Sequence, residues 1–191
     1  MKVLEYGISL KAPVIMTTNS SDENTIQTKD YIPGYTVLGA LAKEYISRTD
    51  MEGIEPAFKS WFLSDSVRFL NAFITDEGGR VATPAPKTIH AVKDKDRYYF
   101  FPKMSKAEKK VITKSIGGYL IMDGRKIRKC KVRKGNHFHI NTIRKTENPE
   151  AETGIFHYEY IEPEQTFKGR ITGDEHKLKE LLDYFGETTI I

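Results

Sequence analysis

His137 and His139 are one residue apart, so a regular strand would carry both imidazoles on one face. Two imidazoles so arranged can act as general acid and base in metal-independent RNA cleavage, with a 2′-hydroxyl as nucleophile. They can equally stack on RNA or hydrogen-bond to it. Spacing fixes no third group, so binding is preferred and no catalytic residue is assigned. No cysteine or carboxylate stands beside them at ligand spacing, and neither a metal nor another cofactor is expected. Just before the histidines, Lys129, Lys131 and Arg133 follow the period of a strand and are expected on one face, with Lys134 next to them. Binding a single-stranded nucleic acid needs cations along a phosphate path and flat groups on which bases rest. The four cations meet the first need, and His137, Phe138 and His139 meet the second. Asn141, Arg144 and Lys145 extend the track. A second set of candidates, Asp22, Glu23 and Asp30, lies in a polar loop. Asp30 is expected to fix the turn before Pro33. Arg68 and Arg170 are isolated cations on predicted strands.

Charge is distributed unevenly around these residues. The chain has 191 residues, 30 basic and 26 acidic, for a formal net charge of +4. From Lys103 to Lys145 there are 14 basic residues against Glu108 and Asp123 alone, a net of +12, which leaves −8 for the rest. A basic block set into an acidic body suggests a phosphate-rich partner. Hydrophobic residues make up 39% and aromatic residues 11%, which argues against intrinsic disorder. No apolar run approaches the roughly 18 residues that a membrane-spanning helix needs. Cys130 is the only cysteine, which excludes an internal disulfide and makes a reduced, cytoplasmic protein the expectation. Gly78-Gly79 and Gly117-Gly118 match no phosphate-loop pattern, so nucleotide hydrolysis is not expected.

The elements that must position these groups follow in a definite order. Lys2 to Leu10 alternates as a strand and Ser66 to Ile74 reads as another. Between them Leu38, Leu41, Ala42 and Tyr45 repeat with helical spacing, and Thr36 is the expected N-cap. Gly39 inside that helix costs about 1 kcal/mol relative to alanine, so close backbone approach to a strand or a phosphate is expected there. Asp123-Gly124 signals a hairpin. The arm from Lys126 to Lys134 then turns at Lys134-Gly135-Asn136 into a strand from His137. Gly154 to Ile161 and Thr166 to Thr172 are strands expected to form a hairpin around Glu162-Pro163-Glu164. Asp174 precedes a helix with an apolar stripe of Leu178, Leu181, Leu182 and Phe185, and Gly186 follows as C-cap. The order predicts an α+β sheet of the ferredoxin-like (RRM-like) kind. It forms a single domain over 1–191, with a basic β-hairpin insertion over 80–153.

Three blocks resemble the RAMP superfamily of CRISPR effector subunits. Asp30-Tyr31-Ile32-Pro33-Gly34 with Gly39-Ala40-Leu41-Ala42 is similar to its Ile-Pro-Gly helix start, although Tyr35 and Thr36 replace the usual small hydroxyl residues. Val67-Arg68-Phe69-Leu70-Asn71-Ala72 with Pro84-Ala85-Pro86 is most similar to the Csx-ten, or Cas-five-like, subunit of type III-D complexes. The third block runs from His139-Ile140-Asn141-Thr142-Ile143-Arg144 through Gly154-Ile155-Phe156 to Phe167-Lys168-Gly169-Arg170-Ile171. The resemblance implies a crRNA-binding subunit in antiviral defence that grips the 5′ handle and caps the complex. Its partners would be crRNA, other type III effector subunits and, indirectly, target RNA. It also implies that Gly34 and Thr36 help cradle RNA, and that the chain is the N-terminal part of a longer subunit, stopping before its last core strand. Two alternatives remain: a RAMP endoribonuclease acting through His137 and His139 or an acidic loop residue, and a structural subunit whose basic arm contacts a neighbouring protein.

Overall fold

The computed structural model describes residues 1–18, 24–49, 53–92, 98–100, 113–124, 126–140 and 155–186. Its elements begin with β1 (Lys2–Ser9), β2 (Thr25–Ile26), α1 (Gly34–Thr49), α2 (Pro56–Phe62), β3 (Val67–Phe69) and β4 (Phe73–Ile74). Six strands follow: β5 (Thr83–Pro84), β6 (Ile89–Val92), β7 (Tyr98–Phe100), β8 (Thr113–Ser115), β9 (Tyr119–Asp123) and β10 (Lys126–Cys130). The last elements are β11 (Lys134–Ile140), β12 (Ile155–Ile161), β13 (Thr166–Gly173) and α3 (Glu175–Phe185). Mostly strands with three helices among the described residues, the chain is a mixed α and β protein compatible with the α+β class. It divides into a larger unit, Met1–Phe73 with Val132–Ile191, and a smaller one, Ile74–Lys131.

In the larger unit β13 is the central strand, antiparallel to β1 on one side and to β3 on the other. Alternation along β13 buries Phe167, Gly169, Ile171 and Gly173 and turns Lys168 and Arg170 outward. The buried face meets the helices in an aromatic-rich core of Tyr45, Trp61, Phe62, Ile171, Leu178 and Phe185. Fully burying side chains of this size stabilises the fold by about 1.5–3 kcal/mol each. Tyr6 lies across Gly169, where a Cβ would fall inside its ring, and its hydroxyl donates to the Leu70 carbonyl at 2.7 Å. Burial pushes the Tyr6 phenol up to about 12. The Tyr45 phenol is also raised to about 12, first by its 2.6 Å hydrogen bond to Glu55 and then by burial.

Several local expectations are corrected. The helix starts at Gly34, so Thr36 lies within its first turn and does not cap it. Gly39 has open space around its Cβ position, and the close approach belongs to Gly34, packed on the Phe69 carbonyl. Ser66–Ile74 is two short strands, because Asn71 leaves the ladder to accept the Gly34 N–H at 2.9 Å. In α3 Gly186 closes the helix with φ 48°, as expected, and Asp174, expected only to precede the helix, caps its first turn, but Leu182 is exposed and Tyr184 packs on the core instead. β12 and β13 do not pair with each other. The first joins β11 and β2, and the second joins β1, β3 and β4, so 162–165 is a corner between two sheets. Glu164 at φ 60° makes that corner. Buried Gln165 fixes it, accepting from the Arg133 N–H and donating to the Arg133 and Glu162 carbonyls.

The smaller unit packs Ile89, Ile116 and Leu120 against Tyr98 and Ile127. Its β9–β10 hairpin forms at the expected Asp-Gly turn, with Gly124 at φ 56°. The Asp76 carboxylate receives Arg80 at 2.8 Å and Arg128 at 2.9 Å, and Arg80 also reaches Asp123 at 2.6 Å. The Arg80 backbone N–H, then its guanidinium and that of Arg128, hold the Asp76 carboxyl below the usual aspartate range against the opposing effect of desolvation. A depressed carboxylate stabilises above its unfolded value, and that contribution fades as pH falls through the lower folded value. The unit is therefore expected to lose stability below the usual aspartate range. Asp76→Asn should remove most of that acid dependence in circular-dichroism melts between pH 2 and 6 on a scale set by the aspartate reference near about 3.9.

Candidate nucleic-acid interface

The basic arm is not one strand. β10 ends at Cys130, residues 131–133 are irregular, and β11 begins at Lys134, so the expected turn at 134–136 is instead the start of a regular strand. Lys129 and Lys131 belong to the smaller unit, and Arg133 and Lys134 to the larger. Lys129 and Lys131 are exposed, without an ion-pair partner among the described residues. Burial pushes the half-buried Cys130 thiol up, which makes it a poor nucleophile.

Arg133, exposed at the surface, and half-buried Lys134 both have partners within the larger unit. The Arg133 guanidinium donates to the Pro163 and Glu164 carbonyls, each at 3.2 Å. The Lys134 ammonium donates to the Thr28 carbonyl at 2.7 Å and to Glu159 at 3.0 Å, and it pairs with Asp30. Asp30 thus anchors a lysine, beyond its expected part in the turn. Partial burial acts to lower the Lys134 ammonium, but hydrogen bonds and charge from Asp30 and Glu159 outweigh it and raise the value above the ordinary lysine range. A raised cation stabilises fully below its unfolded pKa, near about 10.4, and the contribution disappears as pH rises through the folded value. The larger unit is expected to weaken at strongly alkaline pH through Lys134 and the raised Tyr6 and Tyr45 phenols, and Lys134→Met to remove only the lysine's share of that limb in equilibrium denaturation.

The β11–β12 hairpin, extended by parallel β2, presents different chemistry on its two faces. On one, His137 and His139 stand side by side with ring centroids 4.4 Å apart, and His139 meets Tyr158 edge-on at 5.4 Å. This face offers imidazole nitrogens as donors and acceptors, with Tyr160 lying over Gly135, where a Cβ would enter the ring. On the other, Phe138 stacks on His157, its opposite neighbour, at 4.7 Å with the planes 8° apart. His157 is held by donating Nε2–H to Asn136 Oδ1 at 2.9 Å. Phe138 is 64% exposed, so one face of its ring is open to a further flat group. Sequence reasoning named Phe138 and the two histidines but missed His157, Tyr158 and Glu159, whose part depends on strand register across the hairpin.

The remaining candidates divide as follows. Gly34 is buried against Phe69 with its N–H taken by Asn71, and Thr36 directs its hydroxyl to Met16 Sδ at 3.8 Å. Arg68 and Arg170 both lie on the outward face of the β1-β13-β3 sheet. Asn141, Arg144, Lys145, Asp22 and Glu23 lie outside the described residues. Among the described residues no group of three or more His, Cys, Asp or Glu is arranged to hold a metal ion, and no helix is long and apolar enough to cross a membrane. No protein-family model matches the chain, and no curated protein matches it.

Proposed function

We propose that this chain is an RNA-binding subunit of a type III CRISPR effector complex, gripping the 5′ handle of crRNA and capping the complex. The observation that carries the reading is the exposed Phe138 ring, already stacked on His157 and backed by the adjacent His137 and His139. A stack with an open end extends by one unpaired base, and the imidazoles supply hydrogen bonds to its phosphate or edge. A ferredoxin-like RAMP frame is supported by strand order. Parallel β1 and β3 flank antiparallel β13, α1 and α2 connect β1 to β3, and α3 follows β13. Exposed Lys129 and Lys131 add cations on the smaller unit. Gly34, Thr36, Arg133 and Lys134 serve the fold in this reading.

Cleavage through His137 and His139 is the less favoured role. In-line attack by a 2′-hydroxyl needs its base and acid on opposite sides of the phosphorus. Two rings 4.4 Å apart on one strand approach it from the same side. The test is to purify the full chain from its host and sequence the RNA that comes with it. Enrichment of short RNAs sharing one 5′ handle is the expected result. RNA of random sequence, or none, would overturn the assignment.

A further inference from the structure

Outward-pointing residues of the β1-β13-β3 sheet form a surface that the hairpin reading does not use. Strand alternation gives that face Val3, Glu5, Gly7 and Ser9 from β1, Lys168, Arg170 and Thr172 from β13, and Arg68 from β3. The helices and core cover the opposite face. Arg68 stands opposite Thr172, and Arg170 is two residues further along β13, so the two arginines are diagonal neighbours on the order of 7 Å apart at the backbone. That separation is comparable to the step between phosphates of an extended single strand. Arg68 is paired through its backbone with Thr172, and its exposed side chain makes no hydrogen bond or ion pair among the described residues.

The Glu5 carboxylate shows how Arg170 receives an oxyanion. One carboxylate oxygen accepts a hydrogen bond from Nε of the guanidinium at 3.1 Å and lies 3.1 Å from its Nη2 as an ion pair. The pair is open to water, with Arg170 64% and Glu5 70% exposed. An ion pair that exposed is weak, and a polyanion that releases counterions on binding can displace it. Small Thr172 beside Arg68 and Gly7 beside Lys168 leave the sheet accessible to an extended backbone.

We propose that this sheet face is a second binding site for the phosphate backbone of single-stranded RNA, with Arg68 and Arg170 as its grips and Glu5 as a built-in competitor for Arg170. The proposal rests on RNA being the ligand of the larger unit. Arginine forks suit phosphate oxygens, and among the described residues the face carries two arginines to the one Glu5 carboxylate, which favours a polyanion.

The test is the salt dependence of binding of a labelled oligouridylate to the full chain and its variants. In Arg68→Ala with Arg170→Ala, the slope of log affinity against log salt should fall by roughly 1.4, the value for two single-strand phosphates. Glu5→Gln should tighten binding several-fold at low salt, an effect that a merely structural ion pair would not produce. An unchanged slope in the double variant, with Glu5→Gln neutral, would overturn the second site while leaving the hairpin reading intact. Failure of the wild-type chain to bind any RNA would remove both. Equal competition by polyglutamate at matched charge would overturn the phosphate assignment in favour of an acidic protein. Both arginines are exposed, so thermal midpoints should match wild type and separate loss of binding from loss of fold.

Discussion

Gly34→Ala is expected to destabilise the larger unit by about 3 kcal/mol, as overpacking against backbone does. The added Cβ would fall inside the Phe69 carbonyl, and neither partner has room to retreat. Phe69 is paired with Ile171 in the sheet ladder. Gly34 is held by its hydrogen bond to Asn71 at 2.9 Å, beside the reciprocal bridge in which Ile32 and Ala72 exchange N–H to carbonyl bonds of 3.0 and 2.9 Å. Any shift that relieves the clash must break one of these. Alanine gains up to about 1 kcal/mol in helix propensity over glycine, too little to offset the collision. Gly39, five residues along the same helix, is the internal control. Exposed and with nothing near its Cβ position, it should accept alanine with a gain of about 0.5–1 kcal/mol. Urea denaturation of both variants reads the two effects with opposite sign. If Gly34→Ala left stability intact and lowered RNA affinity instead, Gly34 would be a phosphate cradle rather than a packing glycine.

Phe138→Ala should weaken binding of single-stranded RNA by about 1–3 kcal/mol, the range found for one base stacked on one aromatic ring. The ring is 64% exposed and, among the described residues, stacks on His157 alone, so its loss removes little packing. Stability should therefore change by no more than a few tenths of a kcal/mol, as for other surface positions, on the order of 0.5 at most. Because the lost interaction is stacking and not charge, affinity should drop at every salt concentration with the salt slope unchanged. Phe138→Tyr, which keeps the π-face, should restore binding. These outcomes distinguish an aromatic platform from a basic patch, in which the phenylalanine would be silent and salt would account for the whole effect.

The parts of the fold legible in the sequence are those fixed by local chemistry. β1 follows from alternation, α3 from its apolar stripe and Gly186, and the β9–β10 hairpin from Asp123-Gly124. What was missed depends on partners far apart in the chain. Lys134 looks like the neighbouring lysines, and only folding brings Asp30 and Glu159 to its ammonium. Gln165 looks like a loop residue, yet burial makes it the clamp that ends one sheet and starts the next. α2 is seven residues long, too short for a helical period to register, although Trp61 on it is central to the core. The His137 and His139 pairing on one face was readable from period two. The Phe138–His157 stack was not, since register across residues 141–154 is not written in either strand alone.

We propose that the larger unit binds crRNA through the β11–β12 hairpin. This binding is tested most directly by fluorescence anisotropy of a labelled 5′-handle RNA against a scrambled RNA of the same composition, at low and moderate salt, with wild type and Phe138→Ala. A preference for the handle that survives moderate salt and is lost in Phe138→Ala is the expected result. Equal binding of both RNAs that vanishes with salt and ignores Phe138 would contradict it.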